Sequence, residues 1–271
     1  MVHRSTEIIE EEKENNWVQI YFTSPYIMAA YGEELPSRGM LDDLIERKKL
    51  TTQNSSIDIK NEEYKKLKFS QEAFSALCRL LVICLNGLNI VKKCSIFRKE
   101  DFGTQIFRKE ISITDNPFIF DNTVVHDDEG IVLKIKKLVN NGILEECLNN
   151  IFSAGILNLT AGNCYYNHLL KTDIVEQSKI YFEYKSKSHT SHNYDAYIIK
   201  ILDNNVILDG KTGNIKFSCM GLDNKQEYVQ CMISTNLIEF FNGIVATGNE
   251  YSEYNGCIVP EVIVHLGGSN D

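Results

Sequence analysis

The chain has 271 residues, 43% of them hydrophobic, and a formal net charge of −9 at pH 7. This size allows a substantial core, in one large domain or in one domain with a small extension. The acidic balance argues against nucleic acid as a partner, because phosphate binding requires a basic face. The longest apolar run, Leu80–Leu85, is too short to cross a membrane.

The first sixty residues differ in composition from the rest of the chain. Residues 1–16 are highly charged around a single Ile pair, which predicts a solvated tail or a frayed helix. A short strand, a loop, a short helix and a linker are predicted to follow at Trp17–Phe22, 25–39, Leu41–Lys48 and Gln53–Ser56. We therefore expect an N-terminal extension over residues 1–60 and a separate domain over residues 61–271.

A folded domain is predicted from Tyr64 onwards. A short strand at Lys65–Phe69 is followed by Ser70, a typical N-cap residue, and by apolar residues at helical spacing as far as Gly87. This pattern predicts a core helix that ends at Gly87.

Strands dominate the remainder of the chain. They are predicted at Glu110–Thr114, Gly130–Val139, Lys179–Tyr184, Tyr194–Leu202, Val206–Leu208, Asn214–Met220, Glu227–Ile233 and Cys257–His265. Their connections contain Asn-Gly, Asp-Asn-Asn and Asp-Gly sequences, which are typical of hairpin turns. Strand runs with few helices predict an α+β fold with a largely antiparallel sheet.

The histidines lack the spacing of a zinc peptidase. A catalytic zinc needs about three protein ligands and a nearby carboxylate, yet no histidine in the chain precedes a glutamate, so no H-E-x-x-H or H-E-x-x-x-H motif occurs. His189 and His192 are three residues apart and have a spacing that can share an ion, but the polar segment around them is typical of a solvated loop. We predict no metal, cofactor or catalytic residues.

The eight cysteines form no C-x-x-C pair, and most lie in apolar periodic segments. Buried structural thiols are therefore predicted, and this cysteine usage indicates a reducing compartment, which we take to be the cytoplasm. Asp127, Asp128 and Glu129 form a carboxylate cluster with two interpretations, a cation or acid/base site and a turn. The turn is favoured because Gly130 leads directly into a predicted strand.

The segment Ser234–Pro260 is the most informative part of the sequence. Asn236 and Glu239 have the spacing of a capping box, and apolar residues recur at helical spacing as far as Val245. Gly248-Asn249 is typical of a helix stop with positive φ. This pattern predicts an amphipathic helix followed by the last strand of the chain.

The same segment resembles the closing signature of the TldD/PmbA metallopeptidase family, in which an apolar strand, a Gly-Asn-Leu helix start, an I-V-A-x-G-N helix end and a Gly-x-Pro strand follow one another. Further sequences similar to family landmarks occur upstream in the family's order. They are I-T-D-N-P at 113–117, D-D-E-G at 127–130, N-N-G-I-L at 140–144, T-A-G-N at 160–163 and K-T-G-N at 211–214. The resemblance extends from about Tyr64 to the end of the chain and corresponds to the family's C-terminal domain.

This resemblance implies an antiparallel or barrel-like sheet domain with a few packed helices. One kind of subunit in the family carries a zinc motif and a zinc-binding cysteine, and this chain is similar to the other kind, PmbA or TldE, including the surroundings of Cys257. The resemblance thus implies a non-catalytic subunit that handles unfolded or leader peptides. Its partner would be a zinc-bearing TldD-like subunit, the only place where zinc is expected, or a second copy of itself.

The alternative is a free-standing peptide-binding or scaffold protein that has lost its protease function. For either role we expect an extended peptide to add to an exposed sheet edge. Lys179–Tyr184 and Tyr194–Leu202 are the predicted edges, since they are rich in Tyr, Phe and Ile and flank the polar loop with His189 and His192. The alternative for these aromatic residues is that they fill the core.

Overall fold

A computed structural model of the chain describes residues 8–14, 17–22, 29–32, 65–119, 125–168, 170–185, 193–225 and 228–266. The chain divides into two compact units, Met1–Ser56 and Ile57–Asp271. Within the described residues, no helix is long and apolar enough to cross a membrane.

The first unit contains a three-stranded antiparallel sheet in the order β1 (Ile8–Glu14), β2 (Trp17–Phe22) and β3 (Ala29–Gly32). The predicted strand at Trp17–Phe22 is confirmed. The prediction of a tail or frayed helix is wrong for Ile8–Glu14, because antiparallel pairing with β2 supplies backbone hydrogen bonds that do not depend on the charge of the side chains. The predicted helix at Leu41–Lys48 and the linker after it lie outside the described residues.

The second unit contains most of the secondary structure. Its strands are β4 (Lys66–Phe69), β5 (Ile111–Asp115), β6 (Lys136–Asn140), β7 (Ile143–Leu144), β8 (Cys164–Asn167), β9 (Thr172–Val175), β10 (Ile180–Tyr184), β11 (Ala196–Leu208), β12 (Asn214–Asp223), β13 (Tyr228–Asn236), β14 (Ile244–Tyr254) and β15 (Cys257–His265). Its helices are α1 (Gln71–Cys84), α2 (Gly87–Val91), α3 (Ile151–Leu157) and α4 (Leu237–Asn242), with a 3-10 helix at Lys99–Asp101.

A mixed sheet of ten strands organises this unit. Its order is β13-β12-β11-β4-β15-β10-β5-β6-β7, and β14 pairs with β15. The pairs β4–β11 and β10–β15 are parallel and the others are antiparallel. The predicted α+β class with a largely antiparallel sheet is therefore confirmed, and the sheet is an open path in the described residues, with β13 and β7 at its ends.

The β14–β15 hairpin joins two groups of strands. Ile258 pairs with both Glu253 of β14 and Tyr181 of β10, whereas Ile263 pairs with both Ala246 of β14 and Lys68 of β4. One side of β15 thus faces β14 along the hairpin, and its other side is shared by β10 and β4.

The two strands predicted as peptide-receiving edges are interior strands. β10 lies between β15 and β5, and β11 lies between β4 and β12. The prediction is wrong because the neighbours of a strand in the sheet come from distant parts of the chain. The alternative is confirmed for Phe182, which is fully buried and lies 4.9 Å, centroid to centroid, from Phe74 of α1 in an edge-to-face contact.

Helix α1 packs on this sheet. The Ser70 hydroxyl accepts a hydrogen bond from the Ala73 amide at 3.1 Å, which confirms Ser70 as its N-cap. The helix ends at Cys84 rather than at Gly87, because Asn86 caps a second short helix that begins at Gly87. Phe74, Phe182 and Phe241 form one aromatic group, and burial of each ring contributes about 1.5–3 kcal/mol to stability.

The C-terminal helix is much shorter than predicted. Asn236 is its N-cap, but α4 ends at Asn242, and the run from Ile244 that was predicted as helix is the strand β14. Gly243 is the C-cap, and only glycine fits there because a Cβ would meet the His265 carbonyl oxygen of β15 at 2.5 Å. The apolar run beyond it fits a strand as well as a helix, since burial alternates along Ile244–Thr247.

Other segments also differ from the predictions. The two strands predicted at 194–202 and 206–208 form one strand, β11. The strand predicted at 130–139 begins only at Lys136 and extends to Asn140, as β6. The β6–β7 hairpin at the Asn-Gly turn is confirmed. Helices α2 and α3 and the β8–β9 hairpin were not predicted.

Candidate functional site

Four side chains from separate segments form a buried polar cluster: Asp115, Lys136, Asn149 and Asn163. Asp115 ends β5 and is 1% exposed. One carboxylate oxygen accepts from the Ser178 and Lys179 amides at 2.8 and 3.1 Å, and the other accepts from Asn163 Nδ2 at 2.7 Å. Burial raises the pKa of Asp115, although the Asn163 hydrogen bond opposes this shift.

Lys136 supplies the positive charge of the cluster. It begins β6 and is 3% exposed, and its ammonium donates to Asn163 Oδ1 at 2.6 Å and to the Thr160 carbonyl at 2.9 Å. Burial lowers the pKa of Lys136, against the attraction of Glu146 and Asp115. Asn163 therefore bridges a buried carboxylate and a buried ammonium group, and the Asn149 side chain also donates to the Thr160 carbonyl, at 3.3 Å.

The cluster joins two of the family-like landmarks, I-T-D-N-P at Asp115 and T-A-G-N at Asn163. No pattern in the sequence indicated that these landmarks lie close together, and Lys136 was not predicted as part of any site. It shares one strand face with Leu138, and both are buried while Lys137 between them is exposed. A lysine on the apolar face of a strand is the signal that would have found it. Their hydrogen bonds connect the end of β5 and the start of β6 to the segment 160–163 in the protein interior.

The three carboxylates at 127–129 form a turn. Asp127 Oδ1 accepts from the Glu129 and Ile131 amides at 3.1 and 2.9 Å, and Oδ2 accepts from the Cys164 amide at 3.0 Å. Glu129 accepts from the Ile151 amide at the start of α3, at 2.7 Å. Because these oxygens bind backbone amides, the geometry agrees with the turn and not with an acid/base pair.

Within the described residues, no three or more His, Cys, Asp or Glu side chains are grouped so that they could hold a metal ion. His189 and His192 lie outside those residues. All eight cysteines are free and only Cys94 is exposed, which confirms that most of the thiols are buried. Cys257 is fully buried in β15, and burial raises its pKa to about 12, so a metal-binding thiolate is disfavoured there.

An open cavity of about 580 Å³ lies at the end of β11, β12 and β13. It is lined by Ile207, Asp209, Asn214, Ile215, Lys216, Ser234, Thr235, Asn236 and Glu239. Lys216 pairs across the sheet with Ile207 on one side and Ser234 on the other, so these three share the outward face. Ile207 is 64% exposed. An apolar side chain that is open to solvent therefore lies beside the ammonium-bearing side chain of Lys216.

A rigid loop forms the rim of this cavity. Asp209 accepts a hydrogen bond from the Lys211 amide at 2.9 Å. The pKa of Asp209 is lowered mainly by a hydrogen bond from the Thr212 side chain and also by this bond from Lys211. Gly213 has φ +75°, and its carbonyl accepts from the Leu237 amide at 2.8 Å. The Asn236 side chain donates to the Thr212 carbonyl at 2.9 Å while it caps α4.

Two further family-like landmarks, K-T-G-N and Asn236-Leu237, thus meet at the cavity rim. The lining offers a cation at Lys216, carboxylates at Asp209 and Glu239, hydroxyl and amide groups, and one exposed apolar side chain. It contains no histidine or cysteine. This mixture suits contacts with an extended polypeptide better than it suits nucleophilic chemistry.

Comparisons with known proteins agree with the landmarks. Residues 62–266 match the family described as the PmbA/TldA metallopeptidase C-terminal domain. A metalloprotease PmbA homolog from Buchnera aphidicola subsp. Baizongia pistaciae is 30% identical over 176 residues, which is 61% of this chain and 37% of that protein.

Two solved structures share the fold. TldE from Thermococcus kodakarensis has a TM-score of 0.68 and 17% identity, over 92% of this chain and 61% of that chain. A candidate modulator of a DNA gyrase from Thermotoga maritima MSB8 has a TM-score of 0.68 and 18% identity, over 92% of this chain and 60% of that chain. The chain therefore spans less than two thirds of the length of each of these proteins.

Proposed function

Because the chain belongs to the PmbA/TldD metallopeptidase family through its C-terminal domain, we propose that it is a non-catalytic subunit of a zinc metallopeptidase complex. In this role it holds unfolded or leader peptides, while the zinc lies in a TldD-like partner. The open cavity is the observation that carries the proposal, since it is where landmarks resembling those of the family reach solvent.

Two features of the chain support a role without catalysis. The sequence has no H-E-x-x-H or H-E-x-x-x-H motif, and its late cysteine, Cys257, is fully buried with a raised pKa. A zinc site of the peptidase type needs several convergent ligands and an activating carboxylate. We propose the cytoplasm as the location because all eight cysteines are free.

A role at nucleic acid has less support. The Thermotoga maritima structure is described as a candidate modulator of a DNA gyrase, which is a statement about that protein. This chain has a net charge of −9, and DNA binding depends on a basic surface that neutralises phosphates. We therefore propose peptide as the ligand.

Peptide binding to the purified chain tests this proposal. Fluorescence polarisation with a labelled, unfolded peptide should show saturable binding, and Lys216→Glu should weaken it about fivefold or more by reversing the one charge at the centre of the cavity face. Lys137→Glu is the matched control, since Lys137 is an exposed strand lysine outside the cavity. Equal loss in both variants would contradict a role of the cavity.

Elemental analysis and a cleavage assay test the assignment of catalysis to a partner. We expect no stoichiometric zinc in the purified chain and no peptide cleavage by it alone. One tightly bound zinc ion per chain would contradict this part of the proposal. If the peptide affinity does not change when a zinc-bearing relative is added, the alternative of a free-standing binding protein is favoured.

A further inference from the structure

Lys216 and Glu239 are two oppositely charged, exposed side chains that line the open cavity at the end of β11, β12 and β13. In the part of the chain that the structure describes, neither the Lys216 ammonium group nor the Glu239 carboxylate makes a hydrogen bond or an ion pair. The two groups therefore do not pair with each other. Because neither charge has an internal partner to give up, both are available to a ligand.

Glu239 takes no part in the cap of α4. Asn236 and Glu239 have the spacing of a capping box, in which the glutamate side chain accepts from the backbone amide of the cap residue. The Asn236 side chain does cap the helix, since it accepts from the Ile238 amide at 3.0 Å. The reciprocal bond to the Glu239 carboxylate is absent among the described residues, so this carboxylate stays available at the cavity.

The charges of the cavity are divided between two sides. Lys216 lies on the strand side, and Asn214, two residues before it on β12, lies about 7 Å away along the strand. At the level of Asn214, the turn residue Asp209 donates its amide to the Asn214 carbonyl at 2.9 Å. Asn236 pairs with Asn214 and leads into the first turn of α4, which carries Glu239. The strand side is therefore positive, and the turn side is negative.

The two carboxylates on the turn side differ in what they can offer a ligand. Asp209 is committed to its turn, because it accepts from the Lys211 and Thr212 amides at 2.9 and 3.4 Å. It adds negative potential to this side, whereas Glu239 is free to contact a ligand. A ligand with only acidic groups would be repelled on the turn side, and one with only basic groups would be repelled by Lys216. The cavity therefore fits a ligand that carries both charges.

We propose that the cavity selects peptide segments that carry one acidic and one basic side chain, with the acidic side chain at Lys216 and the basic one at Glu239. An extended peptide rises about 3.4 Å per residue, so the two side chains should lie about two to four residues apart. This inference rests on the proposed function, because it states which peptides the peptide-binding cavity holds. The two charges supply specificity, since a peptide that lacks either one leaves a charge of the cavity without a partner.

Four labelled peptides test this specificity by fluorescence polarisation with the full chain. They share one unfolded, otherwise uncharged sequence and carry Glu and Lys about three residues apart, with neither, either or both replaced by Gln. The peptide with both charges should bind most tightly. Each replacement should weaken binding about two- to fivefold, which is typical of an exposed charge pair. Raising the salt concentration to about 0.5 M should reduce these differences, because salt screens exposed charges.

Charge reversal in the protein tests the assignment of each residue. In Lys216→Glu, a peptide with Lys at the acidic position should bind better than the peptide with Glu there, and Glu239→Lys should reverse the preference at the basic position. Partial unfolding cannot cause such a reversal, because it weakens the binding of all peptides alike. Lys137→Glu and Glu250→Lys are the matched controls, since they reverse exposed charges that do not line the cavity, and they should leave the order of affinities unchanged.

The outcomes separate this inference from the proposed function. Equal affinity for the four peptides would overturn the inference and leave peptide binding intact. The same holds if the order of affinities in Lys216→Glu and Glu239→Lys is that of the wild type. A preference for the acidic residue alone would also overturn it, because Glu239 would then have no role in selection. If none of the peptides shows saturable binding, the inference and the proposed function fail together.

Discussion

The buried polar cluster and the open cavity are both built around sequences that resemble family landmarks, yet they present their polar groups in opposite directions. In the cluster, Asp115 and Lys136 are almost fully buried and form hydrogen bonds with neighbouring side chains and backbone groups. At the cavity, Lys216 and Glu239 face solvent beside a loop held rigid by backbone hydrogen bonds. The comparison shows that one kind of landmark fixes the fold, whereas the other is placed where a ligand can reach it.

The largest effect is expected at the cluster. Lys136→Met should lower the free energy of unfolding by about 3–5 kcal/mol, because it leaves a buried carboxylate without its counter-charge. It also removes the shorter of two hydrogen bonds to the Thr160 backbone oxygen and to the Asn163 side-chain oxygen, each of which keeps a longer bond from Asn149, at 3.3 Å. Urea denaturation measures this change. Lys137→Met, one residue along the same strand but exposed, should alter stability by no more than about 0.5 kcal/mol. Similar values for the two variants would show that the cluster does not hold the strands.

A second test of the cluster uses pH. Burial raises the pKa of Asp115 in the folded chain, so the folded state binds this proton more tightly than the unfolded state does. Protonation of Asp115 therefore stabilises the fold as pH falls through its folded pKa, and this contribution is lost as pH rises. Each pKa unit of difference corresponds to about 1.4 kcal/mol.

Asp115→Asn isolates this contribution. The unfolding free energy of the wild type minus that of the variant should increase as pH is lowered from 7 towards the unfolded pKa of Asp, about 3.9. Urea titrations at a series of pH values measure it. A difference that shrinks towards acid pH would mean that the hydrogen bonds to Asp115 outweigh its burial.

The two regions also differ in how far the sequence predicts them. The N-cap at Ser70 and the Asn-Gly hairpin at 140–144 follow from local chemistry, and both are confirmed. The cluster could not be predicted, because Asp115, Lys136 and Asn163 are brought together by strand pairing, and a single sequence contains no distances. Lys136 was missed because it was not compared with Leu138, the buried residue on the same face of the strand.

The C-terminal segment shows a different limit. Asn236 was predicted as a cap from its spacing to Glu239, and the structure confirms the cap, since the Asn236 side chain accepts from the Ile238 amide at 3.0 Å. The end of the helix was misplaced because Ile244, Val245 and Ala246 fit both helical and strand periodicity. The approach of β15 to Gly243, a tertiary contact, decides between them. Sheet edges were misassigned for the same reason, since the order of strands is also tertiary information.

A smaller effect on stability is expected at the cavity rim. Gly213→Ala should lower the unfolding free energy by about 1–2 kcal/mol, because φ is +75° and a Cβ would lie 2.9 Å from Ile96 Cγ2. Gly155→Ala in α3 is the control. It has open space around it and no positive φ, so alanine should stabilise the chain by about 0.5–1 kcal/mol. Thermal unfolding compares them, and a neutral Gly213→Ala would argue against a rigid rim.

The smallest effect on stability, and the sharpest separation of the two regions, is expected at Lys216. Its side chain is exposed, and charge reversal at an exposed position usually changes the free energy of unfolding by no more than about 0.5 kcal/mol. If the cavity binds peptide, Lys216→Glu should nevertheless weaken peptide affinity while leaving urea denaturation unchanged. Lys136→Met should lower the stability without changing the peptide affinity of the protein that remains folded.

Measuring peptide affinity and urea denaturation for both variants in one buffer tests whether the two regions differ in this way. A Lys216→Glu chain that unfolds early would place this residue among those that hold the fold, and the distinction between the cluster and the cavity would then fail.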